Sequence, residues 1–88
     1  MVAVAYSSSF LRAFKRISGR KNLKEKFIQR LEIFINDPLD PRLRTHKLSG
    51  KLKELWAFSV EYDVRVVFYF VNPTQVILVD IGSHDEVY

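Results

Sequence analysis

The sequence predicts an α+β fold in which two N-terminal helices pack on one face of a twisted antiparallel sheet. Apolar residues recur at helical spacing in the first half of the chain and with a period of two in the second half. A loop with two prolines, at residues 38–50, separates the halves. Because the strands follow the helices, the order β-α-α-β-β-β favours α+β over an alternating α/β sheet. We expect residues 1–88 to form a single domain.

The first half predicts one strand and two helices. Residues 2–6 are an apolar run typical of an edge strand. Serines precede the first helix, which we place near 7–18, and a Ser-Gly pair ends it. The second helix, near 22–36, has a continuous apolar stripe and ends before a proline. Asn22 and Glu25 resemble a capping box at its start.

The second half predicts a meander of three strands, at residues 54–60, 64–71 and 76–81. The segments between them contain Tyr-Asp and Asn-Pro and suit hairpin turns. Both faces of the middle strand are apolar apart from Arg65, so we expect it to lie at the centre of the sheet.

Composition and charge exclude several kinds of protein and leave two interpretations of the surface. Cysteine is absent, which excludes disulfides and thiolate metal sites. No apolar run is long enough for a membrane span and no signal peptide is recognisable, so the cytoplasm is the expected location. Residues 1–53 carry 13 Lys and Arg against four acids, a balance of +9, whereas residues 54–88 have a balance of −5. The basic half is either a surface for a polyanion, such as nucleic acid, or a solvated helix surface.

A small set of polar residues at the predicted strand ends has the chemistry for cleaving RNA without a metal or cofactor. A meander can bring the ends of its strands together, and these residues are His46, Asp63, Arg65, His84 and Tyr88. Histidine can remove a proton from a 2′-hydroxyl or return one to the leaving oxygen, and arginine stabilises the charge on the phosphorus centre. Sequence motifs for phosphate loops, dinucleotide folds, zinc sites and nucleophile elbows are absent.

Ordinary structural roles are open for the same residues. His46 suits a solvated turn, and Asp63 is a common turn former. Arg65 has a natural ion-pair partner in Glu61 or Asp80.

The loop before the first predicted hairpin is densely basic. Five cations lie within twelve residues, and they are Arg42, Arg44, Lys47, Lys51 and Lys53. This density predicts contacts with RNA phosphates, including those of the ribosome.

Three sequence motifs occur in order along the chain. HKLSG at 46–50 fits the pattern H-x-L-x-G, and VEYDVRVVFY at 60–69 contains D-x-R-h-h-Y, where h is apolar. IGSHDEVY at 81–88 fits G-x-H-x-x-V-Y. Together they resemble the loop, strand and ending of the RelE/ParE toxin superfamily, most closely its RelE- and YafQ-like mRNA interferase branch, and the resemblance spans essentially the whole chain.

The resemblance implies a RelE-like fold and the toxin of a type II toxin–antitoxin pair, an endoribonuclease that cuts mRNA at the ribosome without metal. It implies a cognate antitoxin as partner, in a hetero-oligomer, and no membrane. His46, Asp63 and His84 fall at acid–base positions of the YafQ-like branch, Arg65 at the phosphate-binding arginine, and Tyr88 at an aromatic residue that closes the site.

One departure from the family pattern keeps two alternatives open. Ser59 stands where many relatives have a basic side chain. The alternatives are a ParE-like toxin that inhibits gyrase and a catalytically degenerate member that only binds its antitoxin. Two histidines together with Asp63 favour the endoribonuclease over the gyrase inhibitor.

Overall fold

The computed structural model describes residues 1–49 and 54–83, which form five strands, two α-helices and a short 3₁₀ helix. The strands are β1 (Ala3–Tyr6), β2 (His46–Lys47), β3 (Trp56–Glu61), β4 (Val64–Asn72) and β5 (Gln75–Ser83). The helices are α1 (Ser8–Ile17) and α2 (Leu23–Asn36), and the 3₁₀ helix is Pro41–Leu43. Neither α-helix in this part of the chain is long and apolar enough to cross a membrane.

The strands form one mixed sheet in the order β1-β5-β4-β3-β2. β3, β4 and β5 pair as consecutive antiparallel neighbours, which confirms the predicted meander and the α+β class. β1 lies at the edge, as expected, and pairs with β5 in parallel. One expectation is wrong: residues 46 and 47, placed in a loop, form β2 and pair antiparallel with residues 57 and 56 of β3.

Helix α1 begins at a serine cap, as the sequence predicts. The Oγ of Ser7 accepts a hydrogen bond of 3.0 Å from the backbone N–H of Phe10, one of the donors that a helix start leaves unpaired. Phe10 and Ala13 are buried against the sheet, while Lys15 and Arg16 lie in the last turn, where cations suit the helix dipole.

Helix α2 begins differently from the predicted capping box. Asn22 has a φ of 61°, in the left-handed region, and its side chain makes no capping hydrogen bond. A capping side chain needs an extended backbone at this position, and asparagine tolerates the left-handed conformation that the tight α1–α2 connection imposes. The capping-box prediction is therefore wrong, although the helix itself is confirmed.

The main core lies between the helices and one face of the sheet. Phe34 of α2 is fully buried and sits between Phe58 of β3 and Phe68 of β4, with ring centroids 4.6 and 4.8 Å apart. The opposite face of the sheet, which we call the open face, carries a smaller apolar cluster around Ala57 and Val67. The sheet thus has one face covered by helices and a second on which a site can be built.

A β-bulge in β5 changes which side chains reach the open face. Val67 pairs with Asp80 and the next residue, Phe68, pairs with Leu78, so Val79 is the extra residue. The bulge shifts the alternation by one: Ile81 enters the main core, and Asp80 shares the open face with Val67. Without it, strict alternation from Leu78 would direct the carboxylate of Asp80 into the core.

Candidate active site

Four arginines, together with Ser59 of the open face, line a cavity of about 260 Å³, which we call the arginine cavity. They come from α2, from the 3₁₀ helix and the residue after it, and from β4, and they are Arg30, Arg42, Arg44 and Arg65. The carboxylate of Glu61 also borders the cavity, but it pairs with Lys26 at 2.9 Å. Converging guanidinium groups make a site for an anion.

Arg65 is positioned by the β3–β4 hairpin. It pairs across the strands with Ser59, so both side chains share the open face. Its Nη1 donates to the backbone oxygens of Glu61 and Tyr62 at 3.2 and 2.8 Å. Its Nε and Nη2 have no partner among residues 1–49 and 54–83, which leaves them available to a ligand.

The suggested ion pair between Arg65 and either Glu61 or Asp80 does not form. Within the described ranges, the ion pairs of Glu61 are with Lys26 and Arg20, and Asp80 has none. Arg65 therefore keeps its full positive charge for the cavity.

Arg44 reaches the cavity because its backbone is left-handed, with φ of 52°. It ends the 3₁₀ helix, and it lines the cavity together with Ser59. No described residue pairs with its guanidinium. Arg44 thus places beside Ser59 a cation that no described residue neutralises.

Arg42 is held by Asp40 instead. Nε and Nη2 of Arg42 donate to the two carboxylate oxygens at 3.0 and 2.9 Å, and its backbone N–H donates to Oδ1 at 2.9 Å. These hydrogen bonds from Arg42 lower the pKa of Asp40 to about 2 and raise the pKa of Arg42. Arg30 donates from Nη1 to the backbone oxygen of Arg42 at 3.2 Å, which ties α2 to this turn.

His46 lies on the open face, one row of side chains away from the arginine cavity. It pairs with Ala57, two residues before Ser59 on β3. Its Nδ1 lies 3.1 Å from the backbone oxygen of Arg44. Because a carbonyl only accepts, Nδ1 is the donor in this contact.

The other predicted site residues divide into three groups. Asp63 lies in the β3–β4 turn, where Nη2 of Arg20 contacts its Oδ1 and Oδ2 at 3.2 and 3.1 Å, and it does not line the arginine cavity. Lys47 pairs with Trp56, whose side chain packs on the helix-covered face, so Lys47 is directed away from His46. The rest lie outside the described residues: Lys51, Lys53, His84 and Tyr88.

Sequence reasoning missed the contribution of α2. Arg30 looked like an ordinary surface residue of an amphipathic helix, and no motif includes it. Its place in the cavity depends on how α2 crosses the sheet. Within residues 1–49 and 54–83, no group of three or more His, Asp and Glu side chains is arranged to hold a metal ion.

Comparison with known proteins places the chain in a family. The family described as "bacterial toxin of type II toxin–antitoxin system, YafQ" matches residues 2–88. YafQ from Escherichia coli BL21(DE3) has a similar fold, with a TM-score of 0.82 at 19% identity over 100% of this chain and 99% of that one. YafQ in the E. coli DinJ–YafQ complex gives a TM-score of 0.80 at 19% identity, over 100% and 99% of the two chains.

A copper-bound mutant toxin from Helicobacter pylori is similar at 28% identity, with a TM-score of 0.72 over the whole of both chains. No curated protein sequence matches this one. The predicted relation to RelE- and YafQ-like toxins is confirmed, and the chain belongs to the YafQ family of bacterial toxins of type II toxin–antitoxin systems.

Proposed function

We propose that this toxin is a metal-independent endoribonuclease that cuts mRNA at the ribosome, in the cytoplasm. The observation that carries the proposal is the arginine cavity, in which Arg44 and Arg65 present guanidinium nitrogens without a partner among residues 1–49 and 54–83. Arg65 shares the open face with His46. A phosphodiester is the anion that such a site suits, because it offers two acceptor oxygens to each guanidinium.

The reaction divides between groups that move protons and groups that only stabilise charge. Arginine remains protonated in proteins, so Arg44 and Arg65 stabilise the negative charge that develops on the pentavalent phosphorus centre. His46 and His84 are suited to take the proton of the attacking 2′-hydroxyl and to protonate the departing 5′-oxygen. Asp63 and Tyr88 complete the proposed set, as the resemblance to the family implies.

The partner that we propose is a cognate antitoxin, which forms a hetero-oligomer with the toxin. The basic balance of +9 over residues 1–53 suits an acidic partner that folds on binding. A shallow apolar groove of about 180 Å³ between α1 and α2, lined by Leu11, Phe14 and Phe27 among others, suits an amphipathic segment. YafQ of E. coli forms such a complex with DinJ.

A cleavage assay with paired variants tests the proposal. Purified protein is added to a translation extract, and the new 5′ ends of a reporter mRNA are mapped. We expect His46→Ala and Arg44→Gln to lower the cleavage rate by about 10²–10⁴ and about 10²–10³, respectively. Lys15→Gln is the control, because this cation in the last turn of α1 lies outside the arginine cavity.

His84→Ala provides a second arm. We expect it to abolish cleavage and growth arrest while the protein still binds the antitoxin. Growth arrest by His84→Ala at full strength, together with gyrase inhibition by the parent protein, would contradict the endoribonuclease and favour the gyrase inhibitor.

A further inference from the structure

A second groove on the open face has walls of mixed chemistry. It lies between α1 and β5 and has a volume of about 450 Å³; we call it the α1 groove. Arg12 and Arg16 line it from α1, Asp80 lines it from β5, and Leu55, Val67 and Val79 supply its apolar part. It thus combines cations, a carboxylate and an apolar surface.

The carboxylate of Asp80 is delivered there by the β5 bulge. Its Oδ1 accepts a hydrogen bond of 2.9 Å from the backbone N–H of Ile81. Its Oδ2 has no hydrogen-bond partner among residues 1–49 and 54–83. The two arginines of the groove form no ion pair with it. Asp80 therefore faces the groove with most of its acceptor capacity unused.

The walls of the α1 groove are held in place by hydrogen bonds at the bulge. Ser9 Oγ donates to the backbone oxygen of Val79 at 2.7 Å, and the backbone N–H of Ser7 donates to the oxygen of Leu78 at 3.0 Å. The start of α1 is thus fixed to β5 where β1 ends. These hydrogen bonds therefore also position Arg12 and Arg16, which lie one and two turns further along α1.

The α1 groove and the arginine cavity are neighbours on one surface. Val67 of the groove and Arg65 of the cavity are two residues apart on β4 and share the open face, a separation of about 6.6 Å along the strand. The cavity extends from this point towards β3 and the groove towards β5 and α1. An RNA chain with a phosphate in the arginine cavity would therefore place a nearby base over the α1 groove.

We propose that the α1 groove binds this base and selects guanine, an inference that rests on the proposed endoribonuclease. Guanine presents two neighbouring N–H donors, N1 and N2, which match the two oxygens of a carboxylate; the other three bases lack this pair. Leu55, Val67 and Val79 contact the apolar face of the ring. Arg12 and Arg16 hold the phosphate of the same nucleotide. Unstacked bases of single-stranded RNA are commonly read along this edge.

Binding of short RNAs to the purified toxin tests the selection independently of cleavage. The probes are three fluorescein-labelled 2′-O-methyl RNA hexamers. The first contains only uridine, the second has one central guanine, and the third has one central adenine. We expect the guanine hexamer to bind at least about tenfold more tightly than the others, since a bidentate base contact discriminates by one or two orders of magnitude.

Asp80→Asn should remove the guanine preference. The amide keeps the oxygen that accepts from Ile81 but replaces the free oxygen with a donor, which opposes guanine and suits adenine. Asp37→Asn is the matched control, because Asp37 also accepts a backbone N–H through Oδ1, that of Leu39, but lies outside the groove. We expect Asp37→Asn to keep the preference.

Arg12→Gln and Arg16→Gln should weaken the binding of all three hexamers to the same extent. Lys15→Gln, on the same helix but outside the groove, should leave their binding unchanged. Equal binding of the three hexamers by the parent toxin would overturn the guanine pocket and leave the endoribonuclease standing. Binding of none of them would also overturn the pocket, whereas the endoribonuclease is tested separately by cleavage in the translation extract. Loss of antitoxin binding by Asp80→Asn, with guanine preference retained, would assign the groove to the antitoxin and overturn the pocket.

Discussion

Arg20, in the connection between the helices, holds the carboxylate of Asp63 in the first hairpin turn, with Nη2 at 3.2 and 3.1 Å from Oδ1 and Oδ2. The pair joins segments 43 residues apart in sequence. About half of each side chain is exposed, at 42% and 52%, so water screens the attraction and the pair contributes at most about 1 kcal/mol to stability. The role of Asp63 can therefore be tested without unfolding the protein.

We expect Asp63→Asn to lower mRNA cleavage by about 10²–10⁴, as loss of an acid–base residue does, and to change Tm by no more than about 4–8 °C. Arg20→Gln is the control, because it breaks the same ion pair and keeps the carboxylate. Cleavage rates and thermal unfolding of both variants provide the measurement. Equal losses of cleavage in the two variants would show that Asp63 acts by supporting the hairpin.

Salt dependence should distinguish Arg44 from Arg42. The guanidinium of Arg44 has no partner in the described part of the chain, whereas that of Arg42 is neutralised by Asp40. We expect Arg44→Gln to reduce the slope of log affinity against log salt by about 0.7, the value for one phosphate contact on single-stranded RNA. Arg42→Gln should change the slope less. Equal changes would mean that Arg42 leaves Asp40 when RNA binds.

The Asp40–Arg42 contact should be visible in the pH dependence of the folded protein. Hydrogen bonds from Arg42 lower the pKa of Asp40 from 3.8 to about 2. A lowered carboxyl pKa adds stability that is present above about pH 3.8 and is lost as the pH falls towards 2. We expect an NMR titration of the Asp40 carboxyl to show this value and Arg42→Gln to raise it towards 3.8. A pKa that Arg42→Gln leaves unchanged would assign the shift to another cause.

Phe34 should be the most costly residue of α2 to truncate. Its ring is fully buried between Phe58 and Phe68, so Phe34→Ala leaves a cavity and should lower the free energy of unfolding by about 3–5 kcal/mol. Ile28, 52% exposed on the same helix, is the control, and Ile28→Ala should cost about 1 kcal/mol or less. Urea unfolding curves measure both. A similar cost for the two variants would contradict the described core.

Much of the fold followed from the periodicity of apolar residues along the chain. The helical spacing of Leu23, Phe27 and Phe34 and the alternation in β4 place these side chains inside, as the structure does, whereas Ile28 of the predicted apolar stripe is exposed. The prediction failed where the backbone left its regular geometry. The left-handed Asn22 belongs to the tight connection between α1 and α2, and the pairing of His46 with Ala57 depends on a strand that comes later in the chain.

By itself, the sequence determined the two helices, the three paired strands, the basic first half and the family motifs, because each depends on residues that lie close together in the chain. Only the tertiary structure decided which basic side chains lie close together. Arg30 reaches Arg42 because α2 crosses the sheet at that point, and Asp80 faces the open side because one extra residue in β5 shifts the alternation. Such placements depend on strand register and helix packing, which are properties of the whole fold, and local sequence patterns do not record them.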